Sequence, residues 1–600
     1  MKMKRYLFGT AMAACLIGAL LTTAAAEEPT AIPEIQVDPT TTNYLIETPS
    51  KLIVSGNVTL DGSQNAFTIN ADTELVFEEG ASLTLSGYTN GFVVENATLS
   101  GGGWVITDGD GMDLIRLRTG GKLTITDDVD LNGYSKTEST SRGIILESTA
   151  ANGGQQITLA ENKTLSANNF YRGLESGGAK GYTVSGAGME SSTFDFSNNN
   201  CGMALSYFDQ DANFKDCKLE VSNCDGGGIF MRQDSAALTG LYFNSVNINC
   251  VNTDGSLPTE FAVRFHAGPF QFNDSVMTID GSKTTGLWLY DGWDTWRTGS
   301  KIDGSVITVK NVTGTNGKAI TFAPRNLWKI TDSVINMENC GYGGINISND
   351  TQVNHNGSLK PADWVARPGL YGGTIAIDNT TINSTGIEYA DIGVQLCQFL
   401  EIGENVVINN GNATNRRPIL CDGNLDAYYE QYFIFSGYAP YNWANIPEEY
   451  QVADRVTILG GSIGDFCDES QEPEYINAFP TNGAQHGNET LTMFTVSSAA
   501  YSAYSQNGEI SLLDINGVSY QYGVANASSD GNRYIWAPKA TVTFYDTDGQ
   551  SVLYTIEVPR GAAFGLTQSS LPNDSTWVSS TSQPFGLDTV VSGNISVYAQ

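Results

Sequence analysis

The chain of 600 residues contains 65 glycines, and only 16% of its residues are charged. Its formal net charge is −34 and its pI is about 4.3. Because a nucleic-acid-binding protein needs a basic surface to neutralise phosphates, this composition argues against nucleic acid as a partner. The length does not require several domains, since an array of repeats can be long without them.

The first 26 residues have the three parts of an export signal. Three basic residues occupy the first five positions, residues 7–21 form an apolar run, and residues 24–26 are alanines that provide a cleavage site. We therefore predict a mature chain from Glu27 that is secreted or held at the cell surface. No later segment has the roughly 18 apolar residues of a membrane span, so no transmembrane segment is predicted after signal removal.

Residues 45–133 consist of short runs in which apolar and polar residues alternate, separated by Gly, Asn or Asp. This pattern predicts short strands and tight turns, which we interpret as the first coils of a solenoid. One turn, residues 107–113, contains three aspartates. Its spacing departs from that of a calcium-binding EF-hand loop, so a solvated turn is favoured over a calcium site, and no metal or cofactor is predicted.

The middle of the chain repeats itself. Five similar segments begin at residues 217, 245, 275, 305 and 333, in steps of 28, 30, 30 and 28 residues, and a second apolar strand follows each of them. A period of about 20 to 50 residues is typical of stacked arrays. With two or more alternating strands per period and no helical pattern, the sequence predicts an all-β protein whose residues 27–424 form a right-handed parallel β-helix.

Alternation along the second strand of each repeat separates inward from outward side chains. The outward positions and the loop after Tyr290 are rich in aromatic and charged residues, which predicts a glycan-binding face. The predicted ligand-binding residues are Phe230, Arg232, Arg264, His266, Trp288, Tyr290, Asp291, Trp293, Asp294, Trp296 and Arg297. The alternative is that the loop after Tyr290 folds over the sheet and buries its own tryptophans.

Catalysis is the competing interpretation. Glycoside hydrolysis needs two carboxyl groups about 5 to 9.5 Å apart. If the chain is an enzyme, such as a polysaccharide lyase or glycoside hydrolase that acts on an acidic or a plant or host polysaccharide, the candidate catalytic residues are Asp234, Asp291, Arg264 and His266. Residues 252–254 match one polygalacturonase motif, Asn-Thr-Asp, but the other motifs of that family and of the pectate lyases are missing. We favour a non-catalytic adhesin that binds a glycan or another surface component, and a structural stalk is the third alternative.

The nine cysteines include one, Cys15, in the export signal. Export permits disulfides. Cys224 and Cys250 fall in adjacent coils and could pair or stack. Because free cysteine behaves as a small apolar residue, buried free thiols are the favoured prediction.

Beyond the β-helix, residues 425–538 are rich in Tyr and Trp and predict a cap with a small β-rich unit. Residues 539–600 end in Gly-Asn-Ile-Ser-Val-Tyr-Ala before the final Gln600. This segment resembles the Listeria–Bacteroides repeat, the internalin B-type module, although Thr576-Trp577 stands where that family has Gly-Trp. The resemblance implies a small β-grasp-like module and a bacterial secreted or cell-surface setting. The β-helix resembles the pectate-lyase superfold in architecture only.

Overall fold

The structure is a computed structural model that describes residues 32–108, 111–147, 154–176, 181–207, 210–233, 239–252, 261–266, 269–290, 299–315, 317–323, 327–341, 343–347, 374–387, 390–394, 399–403, 405–410, 419–421, 455–458, 462–463, 494–497, 509–513, 519–527, 533–559, 563–573, 576–591 and 593–600.

Thirty-nine strands form one continuous, parallel-paired sheet. In chain order they are β1 (Glu34–Gln36), β2 (Tyr44–Ile46), β3 (Ser50–Val54), β4 (Asn57–Asp61), β5 (Asn65–Ile69), β6 (Thr73–Phe77), β7 (Ser82–Ser86), β8 (Asn90–Ser100), β9 (Gly103–Asp108), β10 (Asp113–Ile125), β11 (Val129–Asn132), β12 (Arg142–Leu146), β13 (Gln155–Leu159), β14 (Lys163–Asn168), β15 (Arg172–Ser176), β16 (Tyr182–Ser185), β17 (Ser192–Asp195), β18 (Cys201–Tyr207), β19 (Ala212–Glu220), β20 (Gly227–Gln233), β21 (Leu241–Val251), β22 (Phe261–His266), β23 (Phe270–Asn273), β24 (Val276–Ser282), β25 (Thr285–Tyr290), β26 (Ser300–Asp303), β27 (Val306–Val312), β28 (Lys318–Ala323), β29 (Leu327–Thr331), β30 (Val334–Cys340), β31 (Gly343–Ile347), β32 (Thr374–Asp378), β33 (Thr381–Thr385), β34 (Ala390–Val394), β35 (Phe399–Ile402), β36 (Val407–Asn410), β37 (Ile419–Cys421), β38 (Arg455–Ile458) and β39 (Ser462–Ile463).

Each coil passes through three strands before the chain returns to the same face, so a strand pairs in parallel with the one about three places further on. Face 1 contains β2, β5, β12, β15, β18, β20, β22, β25, β28, β31, β34, β37 and the first halves of β8 and β10. Face 2 includes β13, β16, β23 and β26, and face 3 includes β4, β7, β9, β11, β14, β17, β24 and β27. This connectivity confirms the predicted all-β parallel β-helix.

The core lies inside the coils, where inward side chains of successive coils stack. The Phe67 ring lies between those of Tyr44 and Phe92, with centroids 4.9 Å and 4.6 Å away. Further along, the rings of Phe214 and Phe243 stack at 5.0 Å. Full burial of such a side chain stabilises the fold by roughly 1.5–3 kcal/mol. Stacking alike residues therefore stabilises each coil on its neighbour.

The strand register corrects one of the predicted repeats. Cys217 pairs with Val246, and Val246 lies beside Ser275. The second repeat therefore begins at Val246 and not at Ser245, which gives steps of 29, 29, 30 and 28 residues. Ser245 has φ 54° and occupies the left-handed turn position that Asp216 fills, at φ 52°, in the previous coil.

A row of buried hydroxyl groups joins the corners that precede face 3. Ser305 donates its hydroxyl to the carbonyl of Asp303 at 2.8 Å and accepts the backbone N–H of Ser275 from the preceding coil at 3.1 Å. Ser333 serves the N–H of Ser305 in the same way, at 3.1 Å. Each hydroxyl thus satisfies backbone groups that the turn would leave without partners.

Five described cysteines are free thiols, which agrees with the predicted buried thiols. Cys217, Cys224, Cys250 and Cys340 are buried, and no disulfide joins Cys224 to Cys250. Burial raises the pKa of the Cys250 thiol to about 12. These side chains act as small apolar residues of the core.

Parallel pairing of β35 with β38 and of β36 with β39 carries the β-helix to Ile463. The predicted boundary was residue 424. Most of the predicted aromatic cap, residues 425–538, lies outside the described residues. No helix in the described part of the chain is long and apolar enough to cross a membrane.

The remaining elements are the eight strands of a second, mixed sheet and one short helix. They are β40 (Phe494–Ser497), β41 (Glu509–Leu513), β42 (Ser519–Ala527), β43 (Arg533–Tyr545), β44 (Val552–Pro559), α1 (Phe564–Thr567), β45 (Trp577–Ser579), β46 (Pro584–Phe585) and β47 (Ile595–Ala599). From residue 540 onward the strand order is β44-β43-β47-β45-β46, with β43 and β47 parallel and the other neighbours antiparallel. This is the strand order of a β-grasp module, as predicted.

Candidate functional site

The outward residues predicted on the repeated second strand do lie in register on face 1. Phe230 pairs with Arg264, Arg264 with Trp288, and Trp288 with Thr321. A neighbouring row contains Arg232, His266, Tyr290 and Ala323. Alternation along the strands therefore predicted the correct rows.

The exposure of these side chains differs from the open aromatic face that the sequence predicts. Tyr290 and His266 are each only 3% exposed, and their rings meet edge to face with centroids 4.2 Å apart. Trp288, Arg264 and Phe230 are half-buried, whereas Arg232 is exposed. The prediction of an open aromatic face is therefore wrong for Tyr290 and His266, because alternation gives the direction of a side chain and not what lies over it.

Arg264 is surrounded by aromatic rings. Its guanidinium carbon lies 4.3 Å from the centroid of Trp288, 5.5 Å from that of Phe230 and 5.6 Å from that of Phe261. Such cation–π contacts contribute about 0.5–2 kcal/mol each, depending on desolvation. The guanidinium occupies a face of the Trp288 ring, so that face is not available for stacking on a sugar.

All of the other predicted site residues lie outside the described residues. They are Asp234, Asp291, Trp293, Asp294, Trp296 and Arg297. Of the predicted catalytic group, the structure therefore describes only Arg264 and His266, which lie two residues apart on the same strand, β22. Its two acids, on which hydrolysis would depend, are not among the described residues.

The polygalacturonase-like triplet begins at Asn252, a buried residue whose side chain has a structural role. Its Oδ1 accepts the backbone N–H of Cys224 at 3.2 Å, and its Nδ2 donates to the carbonyl of Gly281 at 3.0 Å. The amide thus links three successive coils. Residues 253–254 are outside the described part of the chain.

Face 1 also carries a charge network that the sequence pattern did not predict. Arg142 contacts Asp113 at 3.2 Å and Glu175 at 2.8 Å, Arg116 contacts Asp113 at 3.1 Å, and Arg172 contacts Glu175 at 2.7 Å. Both carboxylates are buried. Burial raises the pKa of the Asp113 carboxyl, although the neighbouring Arg142 and Arg116 lower it in part.

The same contacts bear on the aspartate-rich turn considered for calcium. Asp113, the last residue of that turn, directs its carboxylate at two guanidinium groups and has no oxygen set aside for a hard cation. Among the described residues, no group of three or more His, Cys, Asp or Glu side chains could hold a metal ion.

An open aromatic ring lies on face 3, at Trp104, which is 55% exposed. Its row along the coils is otherwise polar, and we call it the Trp104 row. Its members are Asn57, Ser82, Trp104, Asp130, Ser166, Asp195, Glu220, Asn249, Thr278, Thr308, Asn336, Asn383 and Asn409.

The neighbours of Trp104 within this row are short. Ser82 lies on the preceding coil and Asp130 on the following one. Ser82 donates to Asn57 at 2.7 Å, and Asp130 accepts the hydroxyl of Ser166 at 2.5 Å. Both side chains are thus engaged along the row, and neither is large enough to cover the indole as Arg264 covers that of Trp288.

The turn before Trp104 explains its outward position. Gly101 and Gly102 have φ 83° and 62°, in the left-handed region that glycine adopts most readily. Gly103 points inward, where a Cβ would collide with the ring of Phe77. Because Phe77 fills the core at this corner, Gly103 and Val105 take the inward positions and Trp104 is left on the outside.

Acidic side chains lie on the coil that follows Trp104. The side chain of Asp127 lies about 4 Å from the position that a Cβ of Gly102 would take, and Asp130 is the next member of the row. Lys163 contacts Asp127 at 2.5 Å and Asp128 at 3.7 Å. Within the described part of the chain, these three aspartates therefore have one lysine, Lys163, as their ion-pair partner.

The sequence contained a signal for this site. Three consecutive glycines precede a tryptophan at a position where the adjacent coils have Ser82 and Asp130. The predicted glycan face depended on groups of aromatic residues, and a single ring in a polar row forms no such group.

No protein-family model, no curated protein and no solved structure matches the chain.

Proposed function

We propose that this protein is a non-catalytic, exported β-helix protein that binds a glycan on face 3, with Trp104 as the central contact. One observation supports the proposal, namely an indole that is 55% exposed within an otherwise polar row. Aromatic rings prefer burial, and Trp has a large apolar surface with one polar N–H group. Such a ring matches the apolar face and hydroxyl edge of a sugar.

The polar neighbours of the ring support the same ligand class. Ser82 and Asp130 carry a hydroxyl and a carboxylate group beside the indole, and these groups can exchange hydrogen bonds with sugar hydroxyls.

Export and a bacterial surface setting belong to this proposal. The basic, apolar and small-residue parts of residues 1–26 support export. The resemblance of residues 539–600 to the Listeria–Bacteroides repeat supports an adhesin of a bacterial surface, and the β-grasp strand order agrees with that resemblance. The resemblance of the β-helix to the pectate-lyase superfold is one of architecture and supports no activity.

The test is a glycan array with the full chain, followed by titration of each hit against Trp104→Ala. Loss of a central aromatic contact costs at least about 1.4 kcal/mol, so we expect affinity to fall at least about tenfold. Because Trp104 is exposed, its replacement leaves thermal stability within about 0.5 kcal/mol of wild type.

Trp288→Phe is the matched control, because it changes the half-buried tryptophan of face 1 and keeps a ring for Arg264. We expect it to bind as wild type does. Loss of binding in Trp288→Phe with full binding in Trp104→Ala would move the site to face 1, and absence of binding to any glycan would refute the proposal.

A further inference from the structure

We infer that the glycan bound at Trp104 lacks acidic groups and that amino groups on it strengthen binding. The Asp130 carboxylate is the group that distinguishes amino-bearing from neutral and acidic glycans. The inference rests on the proposed function, because it names the class of ligand for the same site. It also departs from the acidic polysaccharide that the catalytic interpretation of the sequence considered.

The charged side chains on the coil that follows Trp104 are mostly carboxylates. Asp127, Asp128 and Asp130 lie on the coil that follows Trp104, and Lys163 contacts the first two of them. The ammonium group of Lys163, which hydrogen-bonds to Asp127, lowers the pKa of that carboxyl, so it is ionised in mildly acidic solution. With one lysine among three carboxylates, the local charge is negative.

The whole molecule adds to this local field, because its formal net charge is −34. An acidic polymer, such as a polyuronate or a sulfated glycan, would be repelled both on approach and at the site. A neutral sugar meets no such repulsion, and a protonated amine is attracted. The charge thus ranks ligands of equal shape as amino-bearing first, neutral second and acidic last.

Geometry assigns the discriminating contact to Asp130. Its backbone pairs directly with that of Trp104, so the two side chains are neighbours on the same face. One carboxylate oxygen, Oδ1, accepts the Ser166 hydroxyl at 2.5 Å, which fixes the group in the row. Within the described part of the chain the other oxygen has no hydrogen bond, and it can accept from an ammonium or a hydroxyl of a sugar lying against the indole.

The experiment compares three β-1,4-linked oligosaccharides of equal length by calorimetry at pH 6 and low salt. They are a glucosamine oligomer, a glucose oligomer and a glucuronate oligomer. Exposed charge pairs of this kind contribute modestly, so we expect the amino oligomer to bind about two- to fivefold tighter than the neutral one, and the acidic one to bind weakest. Added salt should shrink the amino advantage, because it screens exposed charges.

Asp130→Asn should remove most of the amino advantage and leave binding of the glucose oligomer nearly unchanged. Asp195→Asn is the matched control, since Asp195 belongs to the same row but is separated from Trp104 by two members. It should retain the wild-type ranking.

Two kinds of failure are distinguishable. Tightest binding of the glucuronate oligomer, with dependence on Trp104, would overturn the inference about charge and leave glycan binding at this site intact. An unchanged ranking in Asp130→Asn would overturn the role of Asp130. Failure of all three oligomers to bind would overturn the inference, and an array without any hit would remove the proposed function as well.

Discussion

Asp113 has a buried carboxyl group whose desolvation cost is partly offset by neighbouring arginines. It is buried on face 1 between the guanidinium groups of Arg116 and Arg142. Burial raises the pKa of this carboxyl, and the arginines compensate only in part. Arg142 also contacts Glu175, so the two buried acids share one cation. The network therefore joins neighbouring coils. Removal of any one of its charged groups would leave a buried partner without a counter-charge, which is destabilising.

The raised pKa of Asp113 predicts a pH dependence of stability. A native state that binds this proton more tightly than the unfolded chain gains stability below the unfolded pKa, near 4, and loses it as pH rises through the folded pKa. We therefore expect the stability of Asp113→Asn relative to wild type to increase between pH 4 and pH 7. Thermal unfolding of both proteins at a series of pH values measures this difference in stability.

Asp303 is the control with the opposite sign. Hydrogen bonds from Lys301 and Thr331 lower the pKa of its carboxyl, so its contribution is present above the unfolded pKa and is lost as pH falls. Asp303→Asn should thus lose stability relative to wild type as pH rises from 2 to 5. Equal trends for the two variants would contradict this interpretation of the pKa shifts.

At the scale of one side chain, sequence reasoning predicted direction better than exposure. It placed Arg264 and Trp288 in the same outward row, which the register confirms. It did not predict that Tyr290 would be buried or that Arg264 would occupy the Trp288 ring. Alternation follows from local backbone geometry. Burial depends on distant parts of the chain and does not follow from it.

Among the elements of the fold, the row of buried hydroxyls offers a direct test. Ser305→Ala leaves the backbone N–H of Ser275 and part of the corner without a hydrogen-bond partner. A buried polar group left unsatisfied costs about 1–3 kcal/mol. We expect the free energy of unfolding to fall by that amount, as measured by denaturant titration.

Ser63→Ala provides the comparison, because Ser63 is an exposed serine between two strands. Its replacement should change stability by less than about 0.5 kcal/mol. If Ser305→Ala had an effect no larger than that, the corner hydroxyls would not contribute to stacking of the coils.

The strand register also shows where residue-type matching fails. Matching by residue type aligns Ser245 with Ser275, because both are serines that precede a valine. In the structure Ser245 is the turn residue at φ 54°, and Val246 takes the corner position that Ser275 has in the next coil. Inward packing of Val246 and Ile248 decides the register, since a shift by one residue would turn them outward.

For the whole molecule, the fold was more fully predictable from the sequence than the site. Repetition of a short strand pattern at steps near 30 residues leaves few architectures other than a stacked coil. The position of the proposed glycan site was not predicted, because Trp104 is one ring in a row of polar residues. The repeats reveal what every coil shares, whereas a binding site is a departure from the repeat.

The terminal β-grasp module has a mechanical consequence. Its first and last strands, β43 and β47, are parallel neighbours paired from Val542 to Tyr545. Tension applied at the two ends of this module pulls these strands lengthwise past each other, so their hydrogen bonds bear the load together. In force spectroscopy, handles at Thr541 and Ala599 should give a higher rupture force than handles at Thr541 and Glu557, which peel an antiparallel pair one bond at a time. Similar rupture forces for the two pairs of handles would contradict this prediction. The expected difference would make this module suited to withstand drag along the line between its ends.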